Sequence, residues 1–311
     1  MSAAITVLSH VPVTLLGPLL KRFPDVSVAQ IPEQGRLGGV RGDVLLTQAW
    51  GSPNVADAIA GGVRWVHAYG TGVNAFPFDA LAGVPLTCSR GGSGIPIAEW
   101  VLAAMLAFEK RFPASLVHEP AQWKYLELGG LYGRTLALVG FGGIGREVAQ
   151  RALPFGMRVR ALRRSQGGAS AGVEVVRELN ELLRDADHVV IAAPATAETR
   201  HLIGREALAH VKRGAHLVNV SRGGLIDQEA LREALDDGRV ACASLDVAEP
   251  EPPPEGHWLY RHPRVRLSPH IAWNMPGALD LLLEPFLENF ARWRAGKPLL
   301  ARDLVDLKRG Y

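Results

Sequence analysis

Short apolar runs rich in β-branched residues recur along the chain and alternate with longer stretches of helical period. The runs predict strands at residues 5–8, 44–47, 63–68, 136–139, 159–162, 189–192, 217–220 and 241–245. Helical patterns fall between them, among them 97–110, 144–153, 228–236 and 279–295. Such alternation predicts an α/β fold, because neighbouring parallel strands need a crossover and the crossover helices cover both faces of the sheet. Residues 249–254 carry Pro250, Pro252, Pro253 and Pro254 and read as a rigid loop, since closely spaced prolines exclude both helix and central strand.

The pattern also suggests where the chain divides. A Gly-rich segment, 90–94, precedes the helix predicted from Ile97, and a second long helix follows Pro276. One domain, 95–273, is therefore expected to be inserted into another built from 1–94 and 274–311. A cleft between two such domains is a common place for a ligand. Residues 1–20 are apolar but lack a basic leader and are interrupted by His10, Pro12 and Pro18, so 4–8 reads as a strand rather than part of a signal peptide. No stretch approaches the ~20 apolar residues of a membrane span.

Composition narrows the function classes. The chain has 311 residues, 48% hydrophobic and 21% charged, the balance of a globular protein. A net charge of +3, with no Lys/Arg block longer than a pair, argues against nucleic acid. Cys88 and Cys242 form neither a disulfide framework nor a CxxC pair, which fits a reducing, cytoplasmic setting. Ten histidines are scattered without a matching ligand cluster, so no metal site is expected.

The first chemical signal is Gly140-Phe141-Gly142-Gly143-Ile144-Gly145, directly after a predicted strand and opening a predicted helix. In that context Gly140 permits a tight turn, Gly142 lets backbone approach a pyrophosphate, and Gly145 lets helix pack closely on strand. Gly143 and Ile144 then begin a helix whose N-terminal N–H groups suit a diphosphate. The next strand runs into Arg163, Arg164 and Ser165, where a NAD-preferring site would place a carboxylate for the ribose hydroxyls. A guanidinium there can pair with a 2′-phosphate, so NADP is the expected cofactor, with NAD as the alternative.

Three later segments carry reactive side chains at predicted strand ends: Val218-Asn219-Val220-Ser221-Arg222, Asp246 through Glu251, and Leu267-Ser268-Pro269-His270. Reducing a keto acid requires a cation for the carboxylate and a proton donor at the carbonyl oxygen. Arg222 can supply the first and His270 the second, with a nearby carboxylate holding the imidazole ring and favouring its charged form.

With these residues in place the chain resembles the D-isomer-specific 2-hydroxyacid dehydrogenases, particularly the glyoxylate/hydroxypyruvate reductases. The resemblance rests on the glycine fingerprint, Gly70-Thr71-Gly72-Val73-Asn74, Ala98-Glu99, Gly133-Arg134-Thr135-Leu136, Pro194-Ala195-Thr196 and the three segments above. It implies two Rossmann-like domains with parallel sheets, the cofactor domain inserted into a flavodoxin-like substrate domain. It implies Arg222 as substrate clamp, His270 as acid/base and Glu251 rather than Glu249 as its partner. It also implies cofactor contacts at Pro194, Val220, Ser221 and Asp246, the last to the nicotinamide carboxamide, and receipt of the substrate carboxylate at Thr71 and Gly72.

Asn74 and Cys88 depart from the common Asp and Asn of the family and are expected to alter only local hydrogen bonding. A phosphoglycerate dehydrogenase is disfavoured because no appended regulatory domain is read here. A corepressor-like cofactor sensor would be expected to carry interaction tails, and a formate-type enzyme to carry Gln in place of Glu251. A phosphite-type oxidoreductase stays open. Trp50, Trp258 and Trp273 either border the cleft or fill core. The predicted helix 97–110 is apolar on more than one face (Trp100, Val101, Leu102, Met105, Leu106, Phe108), which with the arm after Phe112 suggests a homodimer.

Overall fold

The named strands form two sheets, and every strand pair within them is parallel. The structure is a computed structural model that describes residues 5–163 and 171–311. The chain splits into two units, Met1–Ser93 with Met275–Tyr311, and Gly94–Asn274.

The first unit runs β1 (Thr6–Ser9), α1 (Gly17–Arg22), β2 (Ser27–Gln30), β3 (Val44–Gln48), α2 (Val55–Ala60), β4 (Trp65–Tyr69) and β5 (Leu86–Cys88), and closes with the C-terminal helix Ala278–Arg294. Its sheet order is β2-β1-β3-β4-β5, the flavodoxin-like order. Alternation of side chains sends Leu8, Leu45, Val66 and Leu86 to one face with Val55 and Ala58 of α2. Val7, Val44, Leu46 and Trp65 go to the other, against Leu283, Phe286, Leu287 and Phe290 of the C-terminal helix. A strand covered on both faces must be apolar at successive positions, which is why the central strands read as continuous runs.

The second unit runs α3 (Gly94–Glu109), β6 (Thr135–Val139), α4 (Gly143–Ala152), β7 (Arg158–Leu162), β8 (Val173–Val176), α5 (Leu179–Arg184), β9 (His188–Ile191), α6 (Arg205–Ala209), β10 (Ala215–Asn219), α7 (Gln228–Asp236), β11 (Val240–Leu245) and β12 (Val265–Leu267). Its order, β12-β11-β10-β9-β6-β7-β8, is the Rossmann order extended by one strand. The order reverses between β6 and β9, so their carboxyl ends form the crevice where such sheets receive a ligand.

Among the described residues, the twelve strands exceed the eight runs recognised in the sequence by β2, β5, β8 and β12. All four are edge strands of three or four residues. An edge position demands less burial, and β2 and β12 have no fully buried residue, so no apolar run marks them. The helix expected from Ile97 begins at Gly94 instead, since Pro96 is tolerated within a first turn. Among the described residues, no helix is long and apolar enough to cross a membrane.

Candidate active site

The turn after β6 requires glycine at two positions. Gly140 has φ +102°, and a Cβ there would lie 2.7 Å from Ala193 N in the segment after β9. A Cβ on Gly145 would lie 2.5 Å from Gly140 O, so helix and turn could not pack as they do. Gly142 is different: nothing in the protein lies within 4 Å of its would-be Cβ, so the fold itself does not demand glycine there. Gly143 and Ile144 open α4 and, with Gly145, present first-turn N–H groups and the positive end of the helix dipole. Pro194 follows β9 across the crevice, where Thr199 Oγ1 donates to its carbonyl at 2.7 Å. At the end of β7 stands Arg163, whose carbonyl accepts from Arg177 Nη1 at 3.3 Å. Arg164 and Ser165 lie outside the described residues.

Sheet register brings the other candidates together. β10, β11 and β12 are neighbours, with Asn219 level with Leu245 and Leu245 level with Leu267. The segments bearing Arg222, Asp246–Glu251 and His270 therefore leave the carboxyl end of the sheet side by side. Buried Asn219 shapes the first segment: its Nδ2 donates to Arg222 O at 2.9 Å and its Oδ1 accepts from Ser221 N at 3.0 Å. Ser221 Oγ donates to Ala193 O, tying the segment, which follows Val220, to the end of β9. Arg222 Nη1 donates to Ser221 O at 2.7 Å. Burial pushes the Arg222 pKa down from its usual value, and the Glu251 carboxylate acts against that shift. A guanidinium keeps its charge in either case.

Asp246 organises the last segment. Its carbonyl accepts from His270 N at 2.8 Å. Its Oδ1 accepts from Ser268 Oγ at 2.6 Å and Ile271 N at 2.9 Å, and its Oδ2 accepts from Ala272 N at 2.9 Å. Three consecutive backbone N–H groups thus converge on one buried aspartate. They hold His270 at φ +53°, a left-handed conformation that costs a non-glycine residue on the order of 1–3 kcal/mol. Trp273 Nε1 also donates to His270 O at 3.0 Å. The outcome is a ring whose Nδ1 lies 2.7 Å from Glu251 Oε1, with the two side chains 40% and 38% exposed. Glu249 instead pairs with Arg200 Nη1 at 2.8 Å.

In the first unit, Thr71 and Gly72 follow β4 in a loop that a buried polar chain positions. Trp65 Nε1, which can only donate, gives its hydrogen to Thr87 Oγ1 at 2.9 Å. The Thr87 hydroxyl is then satisfied by donating to His67 Nδ1 (2.7 Å), leaving His67 Nε2–H to donate to Ser89 Oγ at 3.2 Å. Ser89 Oγ also accepts from Gly70 N at 3.2 Å, and Thr71 Oγ1 donates to Ser89 O at 3.1 Å. Complete burial lowers the His67 pKa to about 3, consistent with this neutral tautomer. Trp50 is exposed, whereas Trp258 packs half-buried on the core of the second unit. Among the described residues, no three His, Cys, Asp or Glu side chains are grouped to hold a metal ion.

Asn219, Ser268, Ser89 and His67 were not singled out as site residues by the sequence. Only Asn219 carried a local signal, a polar residue ending an otherwise apolar strand.

The chain is 33% identical over 277 residues to glyoxylate/hydroxypyruvate reductase A of Serratia proteamaculans, covering 84% of this chain and 86% of that one. It is 37% identical over 221 residues to D-3-phosphoglycerate dehydrogenase of Methanocaldococcus jannaschii, but the match covers 68% of this chain and only 42% of that longer protein. The crystal structure of a D-isomer specific 2-hydroxyacid dehydrogenase from Xanthobacter autotrophicus Py2, in complex with NADPH and MES, superposes with TM-score 0.83 and 29% identity over the full length of both chains. A family profile, described as D-isomer specific 2-hydroxyacid dehydrogenase, NAD binding domain, matches residues 102–272. That span is more than half of the chain, which therefore belongs to the D-isomer specific 2-hydroxyacid dehydrogenase family.

Proposed function

We propose that this protein reduces a small 2-keto acid to the D-2-hydroxy acid with NADPH, in the manner of a glyoxylate/hydroxypyruvate reductase. The observation that carries the reading is the His270 Nδ1–Glu251 Oε1 contact of 2.7 Å, between the segments that follow β12 and β11, with the Arg222 segment following the next strand, β10. With Nδ1 engaged by the carboxylate, Nε2 is the ring nitrogen left to donate a proton to the substrate carbonyl oxygen. Arg222 pairs with the substrate carboxylate and polarises the carbonyl. Thr71 and Gly72 are assigned to the same carboxylate on the family resemblance.

The residues fit a dinucleotide. Gly140, Gly142, Gly143, Ile144 and Gly145 take the diphosphate, with Pro194, Val220 and Ser221 along the crevice. Gly142 is glycine where the fold leaves space, as close approach of a pyrophosphate demands. Asp246 Oδ1 already accepts two hydrogen bonds and Oδ2 one, which leaves an acceptor position on Oδ2 for the nicotinamide carboxamide. When bound, NADPH supplies the hydride. Preference for NADP rests on Arg163, with Arg164 and Ser165 beyond it, in place of an NAD-type carboxylate. The NADPH held by the Xanthobacter relative supports the same choice.

The test is the ratio of kcat/KM for NADPH and NADH with glyoxylate and hydroxypyruvate. NADPH is expected to win, and Arg163→Asp to narrow or invert the ratio. Equal values for both cofactors in the parent would refute the cofactor assignment. The working unit is proposed to be a cytoplasmic homodimer. The arm after α3 leaves Trp123 83%, Tyr125 92% and Tyr132 87% exposed in the single chain, aromatic surface that a second copy would cover.

A further inference from the structure

Glu251 sits in a loop almost devoid of backbone donors. Pro250, Pro252, Pro253 and Pro254 have no N–H, so between residues 250 and 254 only Glu251 retains one. A ladder cannot hold such a segment, yet Glu251 must stay within hydrogen-bond reach of His270.

The anchor lies one residue before the prolines. Gln228, the first residue of α7, is not needed for capping, because Asp227 Oδ1 already accepts from Glu229 N and Ala230 N at 3.1 Å each. The Gln228 side chain turns to Glu249 instead: its Nε2 donates to Glu249 O and its Oε1 accepts from Glu249 N at 3.3 Å. Both backbone groups of Glu249 are thereby engaged by one amide. Beside this clamp the Arg222 segment touches the same backbone. A Cβ on Gly223 would lie 2.0 Å from Ala248 C and 2.5 Å from Glu249 N, so no larger residue lets the two segments come together. The Arg200–Glu249 ion pair nearby is 58% and 42% exposed, and exposed pairs contribute little.

Building on the function proposed above, we propose that Gln228 is a positioning residue. Through the Glu249 backbone it fixes the Glu251 loop to the Arg222 segment, so that the substrate clamp and the partner of His270 keep one mutual geometry. The Glu249 side chain is not part of the device; its backbone is.

Gln228→Leu removes both hydrogen bonds at similar size. Its pH–rate profile for glyoxylate reduction should shift in the same direction as that of Glu251→Gln. Its kcat should fall about tenfold, less than the 10²–10⁴ expected for loss of a proton donor. Glu249→Gln should keep the parent profile. A purely structural role would lower thermal stability and active fraction without moving the profile, and that result, or an unchanged profile with parent kcat, would overturn the proposal. Amide exchange separates it from the functional reading. Glu249 N–H should exchange about tenfold faster in Gln228→Leu even if the parent reduces none of the keto acids, and unchanged exchange would remove the clamp whatever the enzyme's substrate.

Discussion

His270 occupies a left-handed backbone conformation because Asp246 supplies acceptors to three successive N–H groups. Strain of this kind persists only where surroundings over-determine it, and here it aims the imidazole at Glu251. The roles of the neighbouring charges separate in kinetics. Arg222→Ala should raise KM for the keto acid and lower kcat together, since in the proposed reaction one group both binds and polarises. Glu251→Gln removes the counter-charge of the imidazolium, so the loss of reductase activity should begin at lower pH than in the parent. A parent-like pH profile for Glu251→Gln, accompanied by a crippled Glu249→Gln, would show that the wrong glutamate has been assigned to His270. Arg222 and His270 were legible as candidates because each follows a short strand motif, and Glu251 through the family resemblance. Gln228 and Ser89 were not. Their meaning lies in partners such as Glu249 and Gly70 that only the fold brings close.

At the scale of elements, legibility followed burial. Central strands such as β6, whose five residues are all buried, announce themselves as apolar runs. The edge strands β2 and β12, half-covered and short, do not. The same logic exposes α3, which reads as apolar all round. Val101, Leu102 and Met105 are buried in the single chain, whereas Trp100, Leu106 and Phe108 are only half-covered and Ala103 is exposed. A groove of about 270 Å³ runs along it past Trp100, Ala104 and Leu267. If a second copy covers this face, sedimentation at micromolar concentration should give twice the chain mass of 33.5 kDa. A species at the chain mass under those conditions would remove the dimer from the account.

For the molecule as a whole, buried histidines contribute to the response to acid. Burial holds His67 near 3 and lowers His216 well below its usual value, with the His188 and Arg266 charges adding to the latter shift. Both stay neutral in the folded chain but take up protons when unfolded below about pH 6.5. The stability that His67 contributes is therefore complete above that pH and is lost as pH drops through the window from about 6.5 to 3. At pH 5 His67 alone should cost about 2 kcal/mol, at ~1.36 kcal/mol per pH unit. The thermal midpoint should decline between pH 7 and pH 5, and His67→Gln should flatten that slope. A midpoint unchanged over this interval would contradict the burial argument.

The central proposal is one reaction, hydride from NADPH and a proton from His270 delivered to a small 2-keto acid. The most direct test is NADPH oxidation followed by absorbance for parent and His270→Ala with glyoxylate and hydroxypyruvate, loss of a proton donor being worth about 10²–10⁴ in kcat. The account predicts turnover by the parent and a fall of that size in kcat for the variant. Parent-like turnover by His270→Ala would contradict it.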